Sequence, residues 1–114
     1  MLAPAKLELA RQFDELAGTW DARCGPHSSH RSEFAARIRY LRALCTSLDR
    51  PRVLDLGCAT GQTLLYLSDL AAAGVGVDIS PLMILYARRN GTKRVFTNKG
   101  GTRKWRCGCV YLLQ

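Results

Sequence analysis

The stretch Val53-Leu54-Asp55-Leu56-Gly57-Cys58-Ala59-Thr60-Gly61 decides the fold. A short apolar run carries an acid near its end, breaks into a loop of small residues and then enters an apolar segment. That is the pattern of a strand, a tight turn and a helix N-terminus, on which nucleotide-type cofactors rest. Gly57 and Gly61 permit backbone angles and close approaches that a side chain would block. A helix starting near Thr60 would turn free N–H groups and its dipole toward an anionic ligand group.

Downstream, Leu64, Leu65, Leu67, Leu70, Ala71, Ala72 and Ala73 give residues 60–73 an apolar helical face, with Gly74 placed as the terminating glycine. Residues 75–78 form a second short strand ending in Asp78. Ser80-Pro81 supplies a cap followed by proline at the first helical position, and Leu82, Met83, Leu85, Tyr86 and Ala87 furnish that helix's apolar surface. Asn90-Gly91 ends it, and Arg94-Val95-Phe96-Thr97 reads as a third strand. Asp78 follows Gly57 by 21 residues, the separation at which an acid on a second strand can accept ribose hydroxyls.

Upstream, Leu7, Ala10, Phe13, Leu16 and Ala17 recur at helical steps, with Gly18 as a stop. Residues 20–26 read as an irregular connection broken by Gly25-Pro26, and Ser28 or Ser29 offers a cap for the next helix. Phe34, Ile38, Leu41, Cys45 and Leu48 make the buried stripe of that second helix, leaving Arg37, Arg39 and Arg42 on a solvated face. The order α-α-β-α-β-α-(β) predicts an α/β protein built on a parallel sheet with right-handed crossovers.

Composition bounds the function. The 114 residues make one domain at most, and 47% hydrophobic with 23% charged residues excludes a disordered chain. No apolar run reaches the roughly 20 residues of a membrane span, and residues 1–8 mix acid and base without a secretory core, so a cytoplasmic setting is expected. The five cysteines, an odd number at irregular spacing, argue against a disulfide framework. Cys107-Gly108-Cys109 offers two thiolates where a zinc site needs about four ligands, so no metal is expected.

The glycine loop fits neither of two familiar phosphate motifs. Counting G-x-G-x-x-G from Gly57 puts Ala59 second but Gln62 third, and the Gly-Lys-Ser/Thr of nucleotide triphosphatases is absent. What remains is acid-x-Gly-x-small-x-Gly with a second acid downstream.

Residues 53–61, followed by Gly76-Val77-Asp78-Ile79-Ser80 and Met83-Ile84-Leu85-Tyr86-Ala87-Arg88, resemble the first third of a class I S-adenosylmethionine-dependent methyltransferase. The segment from Phe13-Asp14 to Trp20-Asp21 is similar to the N-terminal helices of its small-molecule members, so the likeness covers about residues 10–90. The resemblance implies a Rossmann-like doubly wound sheet, incomplete after two or three strands and preceded by N-terminal helices. It implies S-adenosylmethionine as cofactor and a small molecule as methyl acceptor. Asp55, Gly57, Cys58, Ala59, Thr60 and Gly61 would pass beneath its methionine and ribose, Asp78 would hold the ribose hydroxyls, and Ile79 would flank the adenine. The departure within the motif is Ala59, where glycine is commoner. No catalytic residue is named by this stretch.

The resemblance divides the chain into a helical region at 1–50, a cofactor-binding βαβα unit at 51–91 and a basic tail at 92–114. Residues 1–90 carry 11 Lys+Arg and all 9 acids, whereas 91–114 carry 6 Lys+Arg and none. All 13 alanines precede the tail as well. The change in usage raises the expectation of a frame-shifted or truncated end, lacking the strands that carry most substrate contacts in the family. A nucleic-acid role for Lys99, Arg103, Lys104, Trp105 and Arg106 is the disfavoured alternative, and a non-catalytic cofactor- or partner-binding fragment is another. Half a sheet would leave the first strand unpaired on one side, so self-association through that edge is expected unless the tail covers it.

Overall fold

A computed structural model describes residues 3–97 and 109–113. Its elements run α1 (Pro4–Ala17), α2 (Trp20–Cys24), α3 (Arg31–Ser47), β1 (Arg52–Leu56), α4 (Gln62–Leu67), β2 (Ala73–Asp78), α5 (Pro81–Arg89), β3 (Val95–Thr97) and β4 (Cys109–Leu113). The sheet order is β3-β2-β1-β4. β1 lies parallel to β2 with Asp55 opposite Gly76, and β2 lies parallel to β3 with Val77 opposite Phe96. Three parallel strands with helical crossovers make the partial Rossmann-like sheet that the alternating pattern predicts.

The fourth strand is not part of that prediction. β4 pairs antiparallel with β1 along its whole length, from Arg52 opposite Leu113 to Leu56 opposite Cys109. The edge of β1 is therefore closed by the chain itself, the tail-covered case in which self-association through that edge is not expected. Among the described residues the outer strands of the sheet are β3 and β4. The basic residues proposed for nucleic acid, 99–106, and Cys107 lie outside the described residues.

The core sits between the sheet and the helices. Leu41 and Cys45 of α3 meet Val53 of β1, Cys58 of the loop, Leu64 and Leu67 of α4, Ile84 and Ala87 of α5, and Val95 of β3. The α3 stripe holds from Phe34 to Cys45, all buried, with Leu48 half-buried at the helix end. After α3 the chain turns through Asp49 and Arg50, both with positive φ, into Pro51. Proline disfavours a right-handed residue before it, and the left-handed region is the alternative used here.

Four local expectations change. Residues 20–24 are a short helix, α2, whose helical hydrogen bonds a turn-rich sequence did not advertise. Ser28 does not cap α3: its hydroxyl donates to the Gly25 carbonyl and accepts from the His30 N–H, closing the preceding turn. α4 ends at Leu67 rather than Ala73, so its aligned peptides are few and the dipole expected at Thr60 is weak. Gly74 consequently lies inside β2, where Leu64 packs so closely that an added Cβ would sit 3.1 Å from its Cδ2. The α5 start matches the expectation, with Ser80 Oγ accepting the Met83 N–H and Pro81 at the first turn.

Candidate functional site

The small-residue loop leaves β1 as a series of left-handed turns. Gly57 has φ 79°, Ala59 φ 48° and Gly61 φ 77°. Two backbone donors at its start, Gly57 N–H and Cys58 N–H, share the Val77 carbonyl at 2.7 and 3.0 Å, which ties the loop to β2. The next donor, Ala59 N–H, goes to Asp78 Oδ2 at 2.8 Å. Gly61 admits no side chain, since a Cβ there would fall 2.5 Å from Thr92 Oγ1.

An open cleft of about 120 Å³ lies along this loop. Asp55, Gly57, Cys58, Ala59 and Thr60 line it, as do Gln62 and Thr63 of α4, Phe34 and Arg37 of α3, and Trp20, Asp21 and Cys24 of α2 with Gly25. Five of the eight residues singled out by sequence therefore share one cleft. Gly61 stands outside it, packed beneath the loop as the N-cap of α4. Asp78 and Ile79 also stand outside it, and Asp78 connects to it through the Ala59 amide.

Asp55 is the most buried acid lining the cleft. Its residue is 4% exposed, and its side chain makes no hydrogen bond among the described residues. Burial pushes its carboxyl up to about 6, the Arg37 guanidinium opposes that rise and the Asp78 charge adds to it. A buried acid of this kind is stabilised as the anion only when a cationic or hydrogen-bonding group reaches it. Arg37 stands above the Phe34 ring with its guanidinium carbon 5.5 Å from the centroid, and donates to Thr63 Oγ1 at 3.3 Å. Arg37 is exposed, as expected, but its head group walls the cleft instead of standing free in solvent.

Asp78 spends both oxygens locally, accepting Ala59 N–H at Oδ2 and Ser80 N–H at Oδ1, 2.9 Å away. Burial raises its pKa and these backbone donors oppose the rise. Each carboxylate oxygen has two lone pairs, so a ligand hydroxyl can still be accepted. Cys58 is buried, and burial together with the two neighbouring acids raises its thiol far above the reactive range.

Sequence reasoning missed two acids. Asp14 of α1 accepts the Ser80 hydroxyl and the Leu82 N–H, the latter at 3.1 Å, holding the start of α5. Asp21 of α2 accepts Thr60 Oγ1 at 2.5 Å, Gln62 Nε2 at 3.3 Å and Asn90 Nδ2 at 3.2 Å. Their spacing of seven along an amphipathic N-terminal segment was the available signal. It had no partner in sequence, because their donors lie 39 to 69 residues away.

An acid-tipped parallel strand, a left-handed small-residue turn and a cleft beside it define a nucleotide-type cofactor-binding unit. Residues 53–106 match the family described as Methyltransferase domain. The solved DhpI-SAH complex is 29% identical, superposes with a TM-score of 0.64, and covers 82% of this chain and 43% of its own. The [4+2]-cyclase SpnF, at 24% identity and a TM-score of 0.58, covers 86% of this chain and 43% of its own and shows the same fold. The 18S rRNA (guanine-N(7))-methyltransferase of Bos taurus is 51% identical over 47 residues, which are 40% of this chain and 17% of that protein. In sequence and fold the chain is similar to class I S-adenosylmethionine-dependent methyltransferases, and it spans under half the length of these relatives.

Proposed function

We propose that the chain binds S-adenosylmethionine, or its demethylated product, in the Asp55 cleft and forms the donor half of a methyl transfer. The observation that carries this reading is the buried Asp55 carboxylate, without a hydrogen-bond partner among the described residues, at the wall of the cleft. Asp55 and Arg37 offer one negative and one positive group in the same cleft, which suits the ammonium and carboxylate of an amino-acid moiety. The small-residue loop at 57–60 would lie beneath the ligand, while Asp78 and Ile79 would take up the ribose and adenine. The cofactor supplies a sulfonium methyl, and catalysis in this class of reaction is mostly orientation, worth on the order of 7–11 kcal/mol of barrier.

A small-molecule acceptor is the primary reading, supported by the likeness of the N-terminal helices to small-molecule methyltransferases. A nucleic-acid acceptor is the second, supported by the 51% identity to an rRNA methyltransferase over 47 residues. Labelled methyl transfer to purified rRNA and to a small-metabolite extract separates the two.

No helix of the described residues is long and apolar enough to cross a membrane. A cytoplasmic setting belongs to the same proposal, since a reducing compartment suits the free thiols of Cys24, Cys45 and Cys58. By the same proposal the chain divides into a helical region at 1–50, a cofactor-binding unit at 51–91 and a basic tail at 92–114, and reading the gene in its neighbouring frames tests the origin of that tail. Titration calorimetry with S-adenosylmethionine and S-adenosylhomocysteine tests the whole. Saturable binding weakened at least tenfold by Asp55→Ala supports it, and absence of heat with a folded chain overturns it.

A further inference from the structure

Cys24 is the exposed thiol among the three described free cysteines, and it lines the cleft. It follows Asp21 by three residues and Trp20 by four on α2, so all three fall on one helix face. That face is turned to the small-residue loop, because Asp21 accepts Thr60 Oγ1 at 2.5 Å and Gln62 Nε2 at 3.3 Å. Cys58 lines the same cleft, yet its sulfur points under the loop: a Cβ added at Gly76 of β2 would lie 2.8 Å from it. Among the described residues, Cys24 is thus the thiol that a ligand in the cleft meets.

The other groups of the cleft say what that ligand is. Asp55, 4% exposed and without a hydrogen-bond partner among the described residues, lines it from β1. Asp21 adds a second carboxylate, and Trp20 and Phe34 add aromatic rings. Carboxylates and ring faces together favour a cation. A methylsulfonium is such a cation, and its methyl carbon is an electrophile. A cleft of about 120 Å³ keeps a bound group close to every residue of its wall.

We propose that Cys24 is a self-methylation site, at which the chain's own thiol takes the sulfonium methyl of S-adenosylmethionine. The proposal deepens the cofactor reading and rests on it. The Cys24 thiolate attacks the methyl carbon, so that a Sγ–CH3 bond forms while the bond from that carbon to the sulfonium sulfur breaks. The electron pair of the broken bond stays on the departing sulfur, which leaves as the neutral thioether of S-adenosylhomocysteine. The thiol proton goes to water, and nothing is oxidised or reduced. The resulting S-methylcysteine is uncharged and resists thiol reductants, so each event permanently alters the cleft wall.

The test incubates the full chain with S-adenosylmethionine carrying a deuterated methyl group, followed by proteolysis and mass spectrometry. One labelled methyl is expected on the Cys24 peptide, none on the Cys45 or Cys58 peptides, and none at position 24 in Cys24→Ser. The urea-unfolded chain should gain label at Cys24 about a hundredfold more slowly, because positioning in the cleft is lost. A parallel measurement needs no methyl transfer. S-adenosylhomocysteine at about ten times its Kd should slow alkylation of Cys24 by iodoacetamide about tenfold, since only the free chain reacts. Protection together with label confined to the folded chain supports the proposal. Protection without label overturns self-methylation and keeps the cofactor reading. Neither protection nor label overturns both. Label gained equally fast by folded and unfolded chains is solution chemistry and overturns the site.

Discussion

Thr60 Oγ1 donates to Asp21 Oδ1 at 2.5 Å, joining the glycine loop to a helix 39 residues earlier in the chain. Thr60 is 2% exposed, so its hydroxyl has no water to fall back on. Thr60→Val keeps the shape and removes the donor, leaving Asp21 with Gln62 and Asn90. Hydrogen bonds to charged groups contribute about 1.5–3 kcal/mol, and a loss in that range is expected in urea unfolding. A change below about 0.5 kcal/mol would mean that Asp21 is satisfied by solvent instead.

Asp55 makes stability fall as pH rises. Its folded pKa, about 6, lies above the ordinary carboxylate value of 3.8, with burial the main cause. The folded state therefore holds its proton more tightly than the unfolded chain between those values. Stability is fully present below about pH 4 with respect to this group and is lost as pH climbs through 6. The difference between the two values corresponds to about 3 kcal/mol. Asp55→Asn should be more stable than the parent at pH 7 and should flatten the profile between pH 4 and 6. A cationic ligand should bind more tightly as pH rises through the same window.

Gly76 lies under the loop, where a Cβ would meet Cys58 Sγ at 2.8 Å and Leu64 Cδ1 at 2.9 Å. Gly76→Ala should cost about 1–3 kcal/mol by overpacking. Gly76→Ala combined with Cys58→Ala should recover part of that loss, a coupling readable in a double-mutant cycle.

The described thiols should differ sharply in reactivity. Cys24 is exposed, whereas Cys45 and Cys58 are buried, and burial raises both of their pKa values. In a Cys107→Ser, Cys109→Ser background, iodoacetamide at pH 8 should modify Cys24 alone until denaturant is added. Mass spectrometry of the peptides reads the order directly.

β4 covers the edge of β1 through all five of its residues. Removing residues 108–114 should expose that edge and produce concentration-dependent association in sedimentation velocity, because unpaired strand edges pair with one another. A monomer at every concentration would show that the β1 edge tolerates solvent.

The local grammar of the chain was legible before any coordinates. Ser80-Pro81 marked the start of α5, Asn90-Gly91 its end, and the Phe34-to-Cys45 stripe the buried face of α3. In each case the signal is carried by residues within a turn or two of one another. The small-residue loop after β1 was equally plain, because only glycine and a few tolerant residues accept its positive φ angles.

Sequence determined the strand-turn-helix unit, the parallel sheet and the loop that a cofactor of this class would use. Tertiary structure alone decided that α4 stops early, that β4 closes β1 antiparallel, that Arg37 joins Asp55 at one cleft and that Asp21 fastens α2 over it. These depend on groups brought together from 18 to 69 residues apart, or on an edge whose free hydrogen-bonding groups accept any extended segment. Periodicity and spacing record neighbours along a helix or strand, and neither records which distant donor a buried carboxylate will find.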